Sequence, residues 1–215
     1  MAVLVIPGLL PGDASVRALS SWLGRCGYRY AASGIRVDAD CLRKTNERLE
    51  RRLEEVVTAT GRPAVVIGQS RGGLTAKLLA VLRPDLVAGI VTLGTPLTDP
   101  LAIHPAARRH VDSVATLADL GVPGLFGTSC LPGGSCWRAV MADLERPFPP
   151  HVAFTSVYSR RDGIVNWRAC LDPDAEHVEV RASHCGMAAH PKVYAALATR
   201  LGAMAAPAHG WPEAA

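Results

Sequence analysis

A serine between glycines, followed later in the chain by an aspartate and a histidine, is the set of residues whose types and order could do chemistry. Ser70 lies in VVIGQSRGGL at 65–74, where an apolar run ends in the pattern G-x-S-x-G. A serine hydroxyl is a weak nucleophile at neutral pH, so it needs a histidine base and a carboxylate that orients the base. Asp162 in YSRRDGIV and His184 in VRASHCGM supply both. The three predict acyl transfer through a serine nucleophile.

The serine motif becomes specific only through its context. By itself it would occur by chance in roughly one chain in ten, and the alternative interpretation is a serine in a tight turn. Here it follows a predicted strand and precedes a predicted helix. Such a sharp reversal needs glycine at Gly68 and Gly72, because a Cβ at either position would clash with the neighbouring turn. We therefore expect Ser70 at the exposed tip of a strand-to-helix turn.

Other carboxylates and imidazoles compete for the two supporting roles. Asp162 and His184 are favoured because each directly follows a predicted strand, where open α/β sheets bind their ligands. The alternatives are Asp172 and Asp174 for the acid and His177, His190, His104, His110 and His151 for the base.

Short apolar runs alternate with helical patterns along the chain. The strands are predicted at 3–6, 28–32, 64–68, 87–93, 152–158 and 177–180, and the main helices at 13–24, 41–60, 71–83 and 191–201. This alternation predicts an α/β fold with a mostly parallel sheet of about six strands, flanked by helices and joined by right-handed crossovers.

Residues 97–150 interrupt the alternation after the fourth strand. They contain several prolines, a helix-like piece at 106–120 and a glycine-rich loop at 121–134. We interpret this segment as a lid-like or cap-like insertion over the site. The end of the chain, 205–215, is predicted to be a loose tail. Without a repeat or a linker, residues 1–215 are expected to form a single domain that buries about 70 per cent of its unfolded surface.

Composition excludes several classes of function. Apolar residues make up 49% and charged residues 20%, and the net charge of +4 is dispersed rather than gathered into a nucleic-acid patch. No apolar stretch approaches the roughly 20 residues of a membrane span. The apolar start lacks the pattern of a signal peptide, which predicts a cytoplasmic location.

The six cysteines leave their pairing open. Cys130 and Cys136 bracket a turn and could form a local bridge, and a bridge between Cys170 and Cys185 would brace the loops of the acid and the base. Free thiols are favoured in a reducing cytosol. The spacing shows no C-x2-C or H-x3-H pattern, so no metal ligands are predicted. The remaining two cysteines are Cys26 and Cys41.

Five stretches together resemble the α/β-hydrolase superfamily, specifically its compact bacterial serine esterases and lipases. They are VIPGLL, GQSRGGL, VTLGTP, YSRRDGIVNW and SHCGM. The resemblance implies that Ser70 is the nucleophile, Asp162 the acid and His184 the base. It further implies that the amides of Leu9 and Arg71 form the oxyanion hole.

Three departures from this family pattern affect the expectation. Pro7 and Gly8 stand where most relatives have His-Gly, so a side chain that often braces the oxyanion loop is absent. Many relatives begin with two additional strands, which predicts a reduced sheet here. Arg71 replaces a commoner leucine or methionine, and it could hold a substrate carboxylate or phosphate or form a buried pair with an acid.

The expected function is hydrolysis of a small-molecule acyl ester or thioester through an acyl-enzyme, with no cofactor or metal, by a monomer or homodimer. Candidates for the acyl pocket are Leu10, Leu125, Phe126 and Trp167, with Trp137 as a further one, although core packing explains each equally well. Two alternatives stay open: an acyltransferase, thioesterase or cyclase with the same triad in natural-product or lipid metabolism, and a catalytically silent ligand-binding homologue.

Overall fold

Six parallel strands form one sheet through residues 1–205, the part of the chain that the computed structural model describes. They are β1 (Ala2–Ile6), β2 (Arg29–Ala32), β3 (Ala64–Gln69), β4 (Val87–Leu93), β5 (Ala153–Tyr158) and β6 (Glu176–Glu179). The order across the sheet is β2-β1-β3-β4-β5-β6, and each neighbouring pair is parallel. The predicted sheet is confirmed. The predicted tail at 205–215 lies, except for residue 205, outside the described residues.

Six helices accompany the sheet within this range. They are α1 (Arg17–Arg25), α2 (Leu42–Thr60), α3 (Arg71–Leu82), α4 (Pro105–Asp119), α5 (Ser135–Leu144) and α6 (Pro191–Ala205). None of them is long and apolar enough to cross a lipid bilayer.

The central strands are mostly apolar because helices cover both of their faces. Every residue of β1 and β3 is buried. Alternate residues of β1 belong to two separate cores: Leu4 packs with Leu53 of α2 on one face, and Val5 packs with Leu19 of α1 and Leu197 of α6 on the other. This arrangement holds the carboxyl ends of β1, β3, β4 and β5 in fixed positions, and the site is built on those ends.

The segment at 97–150 contains two helices rather than one. The helix expected at 106–120 is α4, whereas α5 is not predicted from the sequence. Its local apolar pattern is short, and it is stabilised by tertiary contact: Val140 and Leu144 are buried against Leu74 and Leu78 of α3. That this segment acts as a lid stays a prediction.

Candidate active site

The turn between β3 and α3 places Ser70 at its tip. Its backbone has φ 51° and ψ −121°, a conformation that costs a residue with a Cβ about 1–3 kcal/mol. The reversal depends on its glycines, since a Cβ at Gly68 would collide with the carbonyl of Gly72 and a Cβ at Gly72 with that of Pro7. The first amides of α3 therefore lie directly after the serine, at the positive end of the helix dipole.

Backbone strain is concentrated at this place. Among residues 1–205, the non-glycine residues with positive φ are Ser70 and Leu10, the latter at 76°. Both line the same cavity. Strained conformations persist only where the surrounding structure holds them, and they cluster at functional sites.

His184 and Asp162 form a buried pair beside the serine. The imidazole Nδ1 lies 2.8 Å from Asp162 Oδ2, and the backbone amide of His184 donates to the Asp162 carbonyl at 2.9 Å. The other carboxylate oxygen accepts from the amides of Ile164 and Val165 at 2.9 and 2.6 Å. An ionised carboxylate can only accept, so a hydrogen bond to it requires the proton on Nδ1, and in the neutral imidazole this leaves the lone pair on Nε2.

Apart from His110, which lines the cavity described below, the alternative acids and bases lie outside that cavity. Asp172 forms a buried ion pair with Lys77 at 2.5 Å, and its carbonyl is 2.8 Å from His177 Nε2. Asp174 is exposed. Within residues 1–205, His184 is the histidine that pairs with a carboxylate.

A cavity of about 570 Å³ opens in front of Ser70 and His184. Leu9 and Arg71, which the sequence predicts as oxyanion donors, also line it. Half of its lining residues come from the segment at 97–150, among them Trp137 of α5 and His110 of α4. The insertion therefore forms a wall of the cavity, and most of that wall is apolar.

Of the four residues predicted for the acyl pocket, Leu10 and Phe126 line the cavity and two do not. Leu125 instead packs against the small core formed by Val114, Ala115 and Phe126. Trp167 stacks on Tyr158 with ring centroids 5.8 Å apart, and its ring also lies under two arginines, Arg160 and Arg168. Leu125 and Trp167 are therefore not part of the cavity lining, and a role of either in substrate binding stays a prediction.

The side chain of Arg71 is committed to a buried ion pair. Its guanidinium donates to the carboxylate of Asp38 and to the carbonyl of Asp40, and it lies 5.7 Å from the centre of the Phe126 ring. Burial raises the pKa of Asp38, and the Arg71 charge opposes that rise. Of the two interpretations left open for Arg71, the structure shows the pair with an acid.

Asp38 also forms a backbone hydrogen bond with the loop after β1. Its carbonyl accepts from the amide of Leu10 at 2.9 Å. This residue therefore connects the loop that carries Leu9 to the start of α3, which carries the Arg71 amide. Sequence reasoning missed Asp38, since nothing in its local pattern distinguishes it from other acidic residues in loops.

Two further residues contact or closely approach His184, and the sequence analysis did not single them out: Gln69 and Gly94. Gln69, buried at the end of β3, donates from Nε2 to the His184 carbonyl at 3.0 Å. Gly94 follows β4 with φ 55°, and a Cβ there would lie 2.9 Å from Asp162 Oδ2 and 3.2 Å from His184 Nδ1. The stretch VTLGTP contains this glycine, so its place at a strand end was the available signal.

No cysteine is bridged within residues 1–205. Cys170 is buried, Cys185 is exposed, and burial together with the charge of Asp162 raises the pKa of Cys170 to about 12. The bridge considered between these two residues is therefore not present. The sulfur atoms of Cys41 and Cys136 lie 3.0 Å apart.

Solved structures of similar shape include several hydrolases. The mature lipase BlEst2 of Bacillus licheniformis superposes with a TM-score of 0.71 at 14% identity, covering 93% of this chain and 91% of the lipase. A mouse protein named alpha/beta hydrolase domain-containing protein 10 gives a TM-score of 0.57 at 16% identity, covering 94% and 89%. The chain has the α/β-hydrolase fold. A pyrethroid hydrolase from Sphingobium faniae, with a TM-score of 0.58 at 17% identity over 96% and 98% of the two chains, agrees with this assignment.

Similarity in sequence is confined to part of the molecule. Two triacylglycerol lipases, from Pseudarthrobacter phenanthrenivorans and Burkholderia plantarii, are each 33% identical to this chain in an alignment of 104 residues that covers 44% of it. The chain spans about a third of the length of these curated relatives, 32% and 29%. No family model matches it.

Proposed function

We propose that this chain hydrolyses carboxylic esters through an acyl-enzyme on Ser70. The observation that carries the proposal is a strained serine at the tip of a strand-to-helix turn, sharing a cavity with a histidine whose Nδ1 is held by a buried carboxylate. The curated relatives named triacylglycerol lipase support the same reaction class.

In the proposed mechanism, His184 Nε2 takes the proton of Ser70 as the oxygen attacks the ester carbonyl. Asp162 keeps the imidazole oriented and stabilises its positive charge. The imidazolium then gives its proton to the departing alkoxide, which leaves the acyl group on the serine. Water, activated by the same imidazole, attacks the acyl-enzyme and releases the acid.

The negative charge of the tetrahedral intermediate requires donors that are already in place. We assign this role to the backbone amides of Leu9 and Arg71, which flank the cavity beside Ser70. Arg71 stands at the first position of α3, so the helix dipole supports the oxyanion as well. The Arg71–Asp38 pair, together with the bond from Leu10 to the Asp38 carbonyl, takes the place of the side-chain brace that Pro7 cannot provide.

The cavity favours an ester with an apolar acyl group. Its wall is formed by residues such as Phe126, Trp137 and Val140, and the one arginine on it is neutralised by Asp38. A substrate with a free carboxylate or phosphate would meet no unpaired cation in the described part of this cavity wall. A thioester substrate, the monomeric or dimeric state and a cytoplasmic location stay predictions.

The decisive variant is Ser70→Ala. Turnover of a short p-nitrophenyl ester should fall by at least about 10⁴-fold, and labelling by a serine-reactive phosphonate should vanish, because the nucleophile is gone. Ser113→Ala, which removes an exposed hydroxyl from α4, is the matched control and should retain both. Unchanged turnover in Ser70→Ala would refute the proposal.

Two measurements separate the alternatives that use the same cavity. Supplying an alcohol or amine beside water and comparing the products distinguishes a hydrolase from an acyltransferase or cyclase, because the fold does not determine the acyl acceptor. Absence of phosphonate labelling in the wild-type protein would favour a catalytically silent ligand-binding protein.

A further inference from the structure

Three cysteines from distant parts of the chain converge beside the cavity. Cys41 precedes α2, Cys130 ends the turn Thr128–Cys130, and Cys136 lies in the first turn of α5. The sulfurs of Cys41 and Cys136 are 3.0 Å apart, and all three lie within 4.8 Å of one another. None of the three is bridged, and Cys130 and Cys136 also line the cavity.

We propose that Cys41, Cys130 and Cys136 form a three-thiolate binding site for one soft, thiophilic cation of the Zn²⁺ class. Bonds of about 2.3 Å to a shared metal ion hold sulfur atoms roughly 3.8–4.0 Å apart. The Cys41–Cys136 separation is 3.0 Å and the other two are at most 4.8 Å, so rearrangements of about 1 Å or less would complete the site. This proposal is independent of the proposed esterase activity.

The chemistry of the donors decides which cation fits. Thiolate sulfur selects soft or borderline cations such as Zn²⁺ over Mg²⁺ and Ca²⁺, which prefer oxygen. Among the described residues no histidine or carboxylate joins the three sulfurs within the same distance. A fourth position is therefore left for water, and the cavity on which Cys130 and Cys136 open provides an entry path.

A cluster of three sulfurs is better explained by a cation than by a bridge. A disulfide would use two of them and leave a third thiol partly buried beside it. A cation would use all three and link three segments that are distant in the sequence: the start of α2, the turn at 128–130 and the start of α5. These include two pieces of the cavity wall, so binding would tie that wall to the body of the protein.

Sulfur binds a cation as a thiolate, so the three thiols must release their protons when the metal binds. The affinity for the cation should therefore increase with pH.

The test titrates the reduced full-length protein with Cd²⁺, using ultraviolet thiolate-to-cadmium absorption as the readout. We expect one Cd²⁺ per chain, and Cd²⁺ should displace Zn²⁺ from protein loaded with Zn²⁺ beforehand, because thiolates prefer the softer cation. Cys41→Ser, Cys130→Ser and Cys136→Ser should each weaken Cd²⁺ binding by at least about 100-fold. Mutating a residue that only hydrogen-bonds to a metal ligand already lowers metal affinity 10–100-fold, and these variants remove a ligand itself. Cys26→Ser, at an exposed cysteine, and Ser70→Ala should bind as the wild type does.

A second measurement avoids substitutions that could disturb folding. In the wild-type protein, bound Zn²⁺ should protect the three clustered cysteines from alkylation while Cys26 stays reactive, as peptide mass spectrometry would show. Equal alkylation with and without Zn²⁺, or no Cd²⁺ absorption in the reduced protein, would overturn the proposal. A bridge between Cys41 and Cys136 that persists in protein purified under mild reductant would also overturn it and would identify a redox dithiol.

Discussion

Ser70 and Leu10 carry the backbone strain of the proposed active site, and each is held by a hydrogen bond from its own amide. The Ser70 amide donates to the Leu93 carbonyl at 2.8 Å, and the Leu10 amide to that of Asp38 at 2.9 Å. Ser70 is thus anchored on the end of β4, and the loop after β1 is anchored on the residue that pairs with Arg71. At the scale of residues, the site depends on partners that themselves take no part in the chemistry.

Arg71→Met should cost about 3–5 kcal/mol of unfolding free energy at neutral pH, because it leaves the Asp38 carboxylate buried without its guanidinium. Adding Asp38→Asn should restore part of the loss, since no unpaired charge remains. Urea denaturation of the two single variants and the double variant measures this coupling. Full additivity of the two single losses would contradict a direct interaction.

The loss of stability in Arg71→Met should depend on pH. Burial raises the pKa of Asp38 above 3.8 while Arg71 opposes the rise, so removing Arg71 raises it further. When the pKa of a carboxyl group is raised in the folded state, the group stabilises the fold at pH values below its ordinary pKa. This stabilisation is lost as pH rises through the raised pKa. The deficit of Arg71→Met should therefore be smallest at about pH 4 and grow toward neutral pH. A deficit that does not change with pH would show that the carboxylate is not its cause.

Gly94→Ala should lower kcat by at least about 10-fold, because its Cβ would push against Asp162 Oδ2 and His184 Nδ1, and displacements near 1 Å can cost about 100-fold. Gly61→Ala is the matched control. It has a similar φ of 66° at the end of α2 and no atom within 4 Å of the added Cβ, so it bears the backbone strain alone. Equal kcat in the two variants, measured on one ester, would contradict the role of Gly94.

At the scale of elements, the segment at 97–150 is where the structure departs most from expectation. The position of α4 follows from its local pattern, but α5 is stable because Val140 and Leu144 meet Leu74 and Leu78 of α3. The helix that follows Ser70 thus also supports a wall of the cavity. A helix docked in this way belongs to the folded body.

Leu144→Ala tests whether α5 is docked in solution. Leu144 is buried in the contact with α3, so the variant should lose about 2–5 kcal/mol of unfolding free energy. Leu120→Ala, at an exposed leucine that follows α4, should change stability by less than about 0.5 kcal/mol. If both variants unfold at the same urea concentration, α5 does not pack on α3 and a detached lid becomes the better description.

At the scale of the whole molecule, the two cores share the same strands. Leu4 and Val66 face one core, Val5 and Ile67 the other, and β1 and β3 separate them. The contact of α5 with α3 joins the insertion to this body. Nothing in the described residues divides the chain into independent units.

We therefore expect one cooperative thermal transition for the entire chain. At about 0.7 kcal/mol per residue near 60 °C, the 205 described residues predict an unfolding enthalpy of roughly 140 kcal/mol. Differential scanning calorimetry measures it, and the ratio of the calorimetric to the van't Hoff enthalpy should be near one. Two resolved transitions would contradict a single domain.

The amino-acid sequence by itself determined the strands, their alternation with helices and the order of serine, aspartate and histidine. These features have local causes: buried strands are apolar runs, glycines allow the turn at Ser70, and Asp162 and His184 directly follow strands. From them the α/β sheet was predictable, and so were the positions of Ser70, Asp162 and His184 near its carboxyl edge. That Asp162 rather than Asp172 is the acid stays a prediction.

Only the tertiary structure decided which distant residues meet. Asp38 and Arg71 are 33 residues apart in sequence, and Cys41 and Cys136 are 95 apart. Tertiary packing likewise places Leu125 in a small core and Trp167 on Tyr158, outside the cavity lining. A contact between segments that are far apart in the chain leaves no periodicity in either segment, because it depends on how the helices and loops pack around the sheet.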